Sequence, residues 1–317
     1  MTTTREALLS ALEEGPVDGP ILADRLGVSR AAVWKQVDAL REEGFGIEAG
    51  DDGYRVLEVP EYGGSALRFG LDAPYEIEYH DRIASTNDRA RERAEAGATD
   101  VVVVADEQTG GRGRLNREWM APAGGVWASL VLRPERPPAE VPMYTLAAAV
   151  AVTRAARGVG VDATIKWPND VLVADWSGDG GERKLAGILT EMEGEADRVS
   201  WLVIGIGVNA NIDREDLPAG ATSLRAAVGG VDRRRFFQRV VAEFHDLTGD
   251  GADLRDALDA WRDYASTLGR RVRVETPRET VVGRAVNVRF PGSLIVDTDD
   301  GERAVHAGDC EHLRPAE

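Results

Sequence analysis

Lysine is almost absent from this chain, and its placement indicates where chemistry is expected. Of the 38 basic residues, only Lys35, Lys166 and Lys184 are lysines, and the others are arginines. Lys166 lies in IKWPNDVLV and Lys184 in GERKLAGIL, each beside an apolar strand pattern. A compact ammonium group fits a confined anion site in a way that a planar guanidinium does not. Two of the three lysines therefore predict a polar site for a carboxylate or phosphate, with chance placement as the alternative.

The strongest indication of a ligand site is a glycine- and arginine-rich loop, DEQTGGRGRLNREW at residues 106–119. Its glycines allow close backbone approach to a ligand, and its arginines can pair with phosphate or carboxylate. The loop lacks the Gly-Lys-Ser/Thr ending of a Walker A motif, and no apolar helix follows it as in a dinucleotide fingerprint. Taken alone it could be a mobile surface loop, but together with the lysines it predicts an anion site.

Two further motifs favour the same interpretation. Ser85, Thr86 and Asn87 stand at a predicted helix start, where hydroxyls, an amide and free N–H groups can meet a polar ligand. The segment IGIGVNANI adds two glycines and Asn209 after another predicted strand.

Residues 1–60 are predicted to form a winged helix-turn-helix domain. In ILADRLGVSRAAVWKQVDALREEGF, two helical patterns flank Gly27, and a hairpin pattern follows around Asp52-Gly53. The residues predicted to bind DNA are Ser29, Arg30, Trp34, Lys35 and Gln36. Before residue 60, six basic residues oppose twelve acidic ones, so a role in protein contact or dimerisation is the alternative.

The rest of the chain predicts two further domains, which makes the fold class multidomain α+β. Residues 60–65 read as a linker, and 66–267 mix helix and strand patterns in a catalytic-sized α/β domain. Residues 163–175, ATIKWPNDVLVAD, are predicted as one strand that bends at its proline. From residue 268 to 317, five short strands separated by turns predict a small SH3-like β-barrel.

The amino-acid composition indicates the salt conditions and the cell compartment in which the protein is expected to work. The net charge of −17 and the scarcity of lysine indicate adaptation to high salt, a halophile-like composition; a GC-rich genome is the alternative. The single cysteine, Cys310, excludes an intrachain disulfide and is predicted to be inert. The N-terminus has no signal-peptide pattern and no apolar run is long enough to span a bilayer, so we expect a cytoplasmic protein without membrane contact.

The motifs STN, QTGGRGR with a following Trp, KWPND, RKLAGIL and GIGVN, in this order, resemble those of biotin protein ligases. With a winged helix in front and a small barrel behind, the chain is similar to the bifunctional kind, both ligase and biotin-operon repressor. The resemblance covers essentially the full chain and implies a class II synthetase-like catalytic domain. It also implies ATP, biotin and Mg²⁺ as ligands, biotinyl-5′-AMP as corepressor, and a biotin carboxyl carrier protein as acceptor. Operator DNA and a homodimer are expected partners.

The resemblance also implies the roles of site residues. The catalytic candidates are Lys184, Arg112, Lys166 and Asp170, and Asp170 is also the candidate for contact with Mg²⁺, without a protein metal cage. The biotin and adenylate contacts are Ser85, Thr86, Asn87, Gln108, Gly111, Arg112, Gly113, Arg114, Trp119, Lys184, Gly187 and Asn209. The chain departs from the family pattern at Glu118, where the family often carries Gly or a basic residue, and in a longer acidic turn at 176–181 that we expect to be exposed.

Two other functions fit the sequence. A lipoate-type ligase shares the fold and the adenylation strategy, although the GRGR loop and KWPND favour biotin. A transcription factor that only senses a metabolite would share the winged helix, although Lys184, Arg112 and Asp170 argue against an inactive site. Formation of the adenylate would separate sensor from ligase, and the choice of carrier would separate biotin from lipoate.

Overall fold

The protein is described by a computed structural model that covers residues 4–174 and 181–313. Residues 176–180 of the predicted acidic turn and residues 314–317 at the end of the predicted small domain lie outside these ranges. The chain forms two compact units, Met1–Asp72 and Ala73–Glu317.

The first unit contains the predicted helices and hairpin. Its elements are α1 (Thr4–Glu13), α2 (Gly19–Leu26), α3 (Arg30–Glu42), β1 (Gly46–Gly50), β2 (Gly53–Glu58) and α4 (Gly64–Arg68). Gly27 ends α2 in the left-handed region with φ 63°, and the Ser29 hydroxyl begins α3 by accepting a hydrogen bond from the Ala32 N–H. Leucines and valines of the three helices form one buried core. The helix α4 occupies part of the stretch predicted as a linker, and its Ala66 belongs to this core.

The second unit is built on a seven-stranded mixed sheet. Its elements before residue 267 are β3 (Glu76–Ile83), α5 (Thr86–Glu95), β4 (Val101–Gln108), β5 (Val126–Leu132), α6 (Val141–Gly158), β6 (Ala163–Lys166), β7 (Asp170–Ala174), β8 (Glu182–Gly194), β9 (Val199–Val208), α7 (Leu224–Val228), α8 (Arg233–Thr248) and α9 (Leu254–Tyr264). The strand order is β3-β4-β5-β9-β8-β7-β6. Only β3 and β4 run parallel.

Runs of apolar residues account for the buried strands and helices of this unit. Every residue of β5 is buried, and α5 packs its Ala90 and Ala94 against β4, β5 and β9. The alanine-rich α6 is buried along most of its length, between the sheet and the helices α8 and α9. The prediction of one bent strand at 163–175 was wrong, because the turn at 167–169 reverses the chain and pairs β6 with β7 antiparallel.

The C-terminal part of the second unit is a five-stranded antiparallel sheet. Its strands are β10 (Arg271–Glu275), β11 (Thr280–Arg289), β12 (Ser293–Thr298), β13 (Gly301–Val305) and β14 (Asp309–His312), in the order β13-β12-β11-β10-β14. All five predicted strands form. This sheet holds the turn between β6 and β7, because the Trp167 indole N–H donates to the Gly292 carbonyl over 3.1 Å.

Candidate functional site

A cleft of about 490 Å³ opens on the second unit, where the predicted motifs meet. All but two of the predicted site residues line it: Ser85, Thr86, Asn87, Gln108, Arg112, Gly113, Arg114, Trp119, Asp170, Lys184, Gly187 and Asn209. They come from the start of α5, the end of β4, the glycine–arginine loop, and strands β7, β8 and β9. Its volume is in the range of small-molecule sites.

One wall of the cleft is polar and buried. The Ser85 hydroxyl caps α5 by accepting a hydrogen bond from the Asp88 N–H over 3.3 Å. The backbone N–H and the hydroxyl of Thr86 lie 2.7 and 3.0 Å from the Gln108 Oε1. These contacts fix the start of α5 against the end of β4.

The glycine–arginine loop brings three guanidinium groups to the cleft, and each has a partner within the protein. Arg112 forms an ion pair with Asp88. Arg114 donates to the Asn169 Oδ1 over 3.2 Å and to the Gly308 carbonyl over 2.9 Å. Arg117, which sequence reasoning did not select, pairs with Asp309 of the C-terminal sheet. The loop is therefore held from two sides.

Lys184 also lines the cleft. Its Nζ lies 2.6 Å from the Asp170 Oδ1 and 5.1 Å from the centroid of the Trp119 ring. The register between β7 and β8 shifts beside Lys184, since Val171 pairs with Ala186 but Leu172 pairs with Lys184. Such a bulge redirects side chains, a device common next to functional sites.

Trp119 lies against bare backbone. A Cβ at Gly187 or Gly207 would come within 3.2 or 3.0 Å of its ring, so a larger residue at either position would crowd the indole against the strands. The Trp119 Nε1 is buried against this backbone, without a hydrogen-bond partner in the described structure.

Lys166 and Gly111 are not brought into the cleft. Lys166 lines a neighbouring cavity of about 280 Å³ with Arg273, Glu275 and Cys310. The cleft and this cavity share Arg114, Arg117, Asn169, Asp170 and Asp309. Gly111 is buried beneath the loop, where its carbonyl accepts the Trp119 N–H over 2.9 Å.

Cys310 is buried, and the described residues offer no cluster for a metal ion and no membrane-spanning helix. Burial raises the pKa of the Cys310 thiol to about 11, which fits an unreactive residue. Within residues 4–174 and 181–313, no group of three or more His, Cys, Asp or Glu side chains could hold a metal ion. In the same ranges, no helix is long and apolar enough to cross a membrane.

Sequence reasoning missed several residues that complete the site. Ser129 and Glu191 both contact the predicted residue Asn87, and Asp309 pairs with Arg117, which was also missed. Ser129 interrupts the otherwise apolar strand VWASLVL, a signal that could have been noticed. Asp309 lies 192 residues from Arg117, so no local pattern could have linked them.

In the first unit, the residues predicted to bind DNA lie on and before α3. Trp34 is 56% exposed, and Ser29, Arg30 and Lys35 are also exposed. The Gln36 Oε1 accepts a hydrogen bond from Arg5 over 3.3 Å, so this side chain is partly engaged. An exposed aromatic ring among basic side chains on this helix is an unusual solvent-facing surface.

The fold and the cleft define a broad class of protein, in which a helix-turn-helix unit precedes an α+β unit with a polar, cation-lined ligand cleft. A sequence model of the Biotin/lipoate A/B protein ligase family matches residues 79–209. The Biotin protein ligase C terminal domain matches 267–313, and an HTH domain matches 4–55.

Known relatives identify the family. The chain is 38% identical to the bifunctional ligase/repressor BirA of Bacillus subtilis, over 93% of each chain. It is 35% identical to the biotin--[acetyl-CoA-carboxylase] ligase of Mycobacterium tuberculosis, over 74% of this chain and 87% of the relative. The biotin protein ligase of Aquifex aeolicus, solved with biotin and ATP, shares the fold with a TM-score of 0.60 at 24% identity, over 75% of this chain and 98% of that one. The chain belongs to the biotin protein ligase family, and the Bacillus subtilis relative that matches nearly its whole length is a bifunctional ligase/repressor.

Proposed function

We propose that the protein is an ATP-dependent biotin protein ligase that forms biotinyl-5′-AMP and transfers biotin to a lysine of a biotin carboxyl carrier protein. One observation carries the proposal: a single cleft sets Lys184 and the loop arginines against a buried polar wall, in a chain 38% identical to a bifunctional ligase over 93% of its length. The biotin and ATP named for the Aquifex aeolicus structure support these substrates.

In the first step the biotin carboxylate attacks the α-phosphorus of ATP, and pyrophosphate leaves. Both reactants are anions, so catalysis depends on positioning and on neutralising charge. Arg112, Arg114 and Lys184 are the groups we assign to this task, and the indole of Trp119 is assigned to the adenine. Because each of these cations already has a partner, binding exchanges an internal contact for a contact with the ligand.

In the second step the amine of the carrier lysine attacks the acyl carbon of the adenylate, and AMP leaves with the electron pair of the acyl–phosphate bond. The amine must lose a proton, and Asp170 is the carboxylate we assign to accept it. Its contact with Lys184 at 2.6 Å holds it within the cleft. No acyl-enzyme is required, because the activated intermediate is the bound adenylate.

Mg²⁺ would enter with the phosphates of ATP, where it adds positive charge. Asp170 is the carboxylate we propose for its contact, which suits an oxygen-preferring ion bound by one or two carboxylates. Lys166 remains a proposed second cation that would act from the neighbouring cavity. Gly111 is proposed to contact the ligand closely through its backbone.

The first unit is proposed to bind operator DNA and to make the protein a biotin-responsive repressor. The exposed Trp34, Arg30 and Lys35 on and around α3 support this role. We propose that the DNA-binding domain predicted at residues 1–60 also includes α4, since Ala66 lies in the core of the first unit, which ends at Asp72. The catalytic domain predicted at 66–267 then begins after Asp72, and 268–317 is proposed as the small C-terminal domain. A homodimer that carries two α3 helices is proposed as the DNA-binding form.

The experiment is a transfer assay in high-salt buffer. The purified protein is incubated with ATP, Mg²⁺ and labelled biotin, with and without a biotin carrier domain, and labelled lipoate is run in parallel with a lipoyl carrier domain. ATP-dependent labelling of the biotin carrier is the expected result. Transfer of lipoate instead, or tight biotin binding without adenylate formation, would refute the proposal.

A further inference from the structure

A buried side-chain hydroxyl anchors the turn that leads into Asp170. The backbone N–H of Trp167 donates to the Thr267 Oγ1 over 2.9 Å, and the indole N–H of the same residue donates to the Gly292 carbonyl over 3.1 Å. Trp167 and Thr267 are both buried, so the hydrogen bond between them forms away from solvent. The turn is therefore tied at one residue through both its backbone and its side chain.

The turn itself is short and has few backbone donors. Lys166 pairs with Asp170 in the register of β6 and β7, so the turn between them is three residues long. Pro168 has no backbone N–H, and a buried N–H that lacks an acceptor is costly. The hydrogen bond from Trp167 to Thr267 therefore lies directly between the two charged residues and fixes where the turn sits.

The segment that carries Thr267 runs beside β6. Ile165 and Ala265 form a parallel bridge, and the Ser266 N–H donates to the Ile165 carbonyl over 2.8 Å. Thr267 follows at the end of this pairing, and its hydroxyl, instead of a backbone carbonyl, accepts the Trp167 N–H. A backbone carbonyl would be available whatever residue stood here, whereas a hydroxyl depends on the side chain. The identity of residue 267 therefore matters for the position of the turn.

His312, at the end of β14, contacts the same hydroxyl. Its Nε2 lies 3.0 Å from the Thr267 Oγ1, and its Nδ1 lies 3.2 Å from the Glu182 Oε2. Arg270 donates to both oxygens of Glu182, over 2.9 and 3.0 Å, and so fixes the carboxylate beside the ring. A hydroxyl has two lone pairs and one hydrogen, so the Thr267 hydroxyl can accept the Trp167 N–H and share a hydrogen bond with either tautomer of the ring. The ring therefore stabilises the rotamer of Thr267 that faces the turn.

We infer that Thr267 and His312 are positioning residues for Asp170, which hold the turn so that the Asp170 carboxylate stays beside the Lys184 ammonium in the cleft. Among the described residues that line the cleft or the neighbouring cavity, neither Thr267 nor His312 occurs, so their effect on the reaction passes through the turn. The inference rests on the proposed function, in which Asp170 accepts the proton of the carrier amine. Displacing a reacting group by about 1 Å can cost about 10²-fold in rate.

The transfer step tests this role by itself. A biotin carrier domain is added to the full-length protein already loaded with labelled biotinyl-5′-AMP, in high-salt buffer. Thr267→Val keeps the shape of the side chain but leaves the Trp167 N–H buried without this acceptor, so the maximal single-turnover rate should fall about 10–100-fold. The biotin Kd and the carrier concentration that gives half the maximal rate should stay within about twofold, because the residues proposed to bind biotin are unchanged.

Two further variants control for the loss of a buried hydroxyl. Thr267→Ser keeps the acceptor for Trp167, so it should transfer biotin within about threefold of the parent rate. Thr153 is a fully buried residue of α6 whose hydroxyl donates to the Ala149 carbonyl over 2.8 Å. Thr153→Val should stay within about twofold of the parent rate, because it loses a hydroxyl of similar burial away from the turn.

A double variant separates positioning of Asp170 from a general loss of structure. Where Asp170→Asn is already present, no carboxylate is left to position, so adding Thr267→Val should slow transfer by less than about threefold. Losses that multiply in the double variant would overturn the inference, as would a Thr267→Val rate within threefold of the parent.

The His312 variants decide the question if thermal melting shows that Thr267→Val does not fold. A glutamine amide can reach the place of the ring Nε2 near Thr267, whereas an asparagine amide reaches only the place of Nδ1 near Glu182. His312→Gln should therefore transfer within about twofold of the parent, and His312→Asn roughly five- to tenfold more slowly. Equal transfer rates in these two variants would overturn the inference.

Failure of the proposed function gives a different result. A parent protein that forms no adenylate, or does not label the carrier, would refute the ligase itself before any variant is made. A parent that transfers biotin, together with an Asp170→Asn variant that transfers it equally fast, would leave the ligase standing and overturn the role of Asp170 and this inference with it.

Discussion

Replacing Lys184 with alanine should abolish most adenylate formation while the fold survives. The ammonium lies in a pocket with Asp170 at 2.6 Å and the Trp119 ring at 5.1 Å, and it is one of the cations that we assign to neutralising the reacting phosphate. Removing one preorganised charge or donor from such a site costs about 10²–10³-fold in rate, or ~2.7–4 kcal/mol. We expect a loss of this size in the rate of adenylate formation.

The effect on stability should be much smaller. The side chains of Lys184 and Asp170 are 33% and 20% exposed, so solvent screens their attraction, and the pair is worth about 1 kcal/mol or less. The variant leaves the Asp170 carboxylate without this partner, which adds to the cost. We expect the melting temperature to fall by roughly 2–4 °C for each kcal/mol of unfolding free energy that is lost. Adding Asp170→Asn to the Lys184→Ala variant should restore part of the lost melting temperature.

Single-turnover formation of labelled biotinyl-5′-AMP separates this step from transfer to the carrier, and Lys184→Arg is the matched control. Arginine keeps the charge, but Lys184 is confined between Trp119 and the strand at Gly187, where a wider guanidinium fits poorly. The rate of adenylate formation in Lys184→Arg should therefore exceed that in Lys184→Ala by less than tenfold. A Lys184→Ala rate within tenfold of the parent would refute the role of the charge. Full recovery by arginine would refute the argument for a compact ammonium.

Four further outcomes follow from the structure. Arg114→Ala removes a cation that we assign to the phosphate of the adenylate, so bound adenylate should dissociate about tenfold faster in a filter-binding chase; an unchanged rate would contradict its role. Because burial raises the pKa of Cys310 to about 11, alkylation followed by mass spectrometry should be slow at pH 8 and should accelerate only as the pH approaches that value. Trp34→Ala should weaken operator binding by about 1–3 kcal/mol in gel-shift assays and leave biotin transfer unchanged, whereas lost transfer would contradict a DNA-specific role. Since the net charge is −17, the urea midpoint should rise between low and molar KCl, and a flat response would argue against adaptation to salt.

Local patterns predicted the elements well where apolar runs and caps coincide. The strand VVVVADEQ became β4 at Val101–Gln108, and Ser85 caps α5 at the predicted helix start. The reversal between β6 and β7 was missed, because an apolar run interrupted by proline fits either a bent strand or a hairpin. Trp127, Trp167 and Trp201 are buried.

The residues that line the cleft were harder to predict than the helices and strands that carry them. Lys166 and Lys184 both lie beside apolar strand patterns in the sequence, yet of the two only Lys184 lines the cleft. The difference arises from the pairing of β7 with β8, whose bulge lies beside Lys184, and register is a property of the sheet. The contact between Arg117 and Asp309 likewise depends on how the C-terminal sheet packs against the loop.

The pairing of the cleft cations has a functional consequence. Arg112, Arg114 and Lys184 contact Asp88, the Gly308 carbonyl and Asp170 within the protein. A phosphate that binds these cations competes with their existing partners, so its net gain is the contact with the ligand minus any internal contact that it displaces. Simple anions, which offer one contact at a time, gain little from this exchange. A ligand that carries both a carboxylate and a polyphosphate, or an adenylate that joins them, can replace several partners at once, and the cleft favours it for that reason.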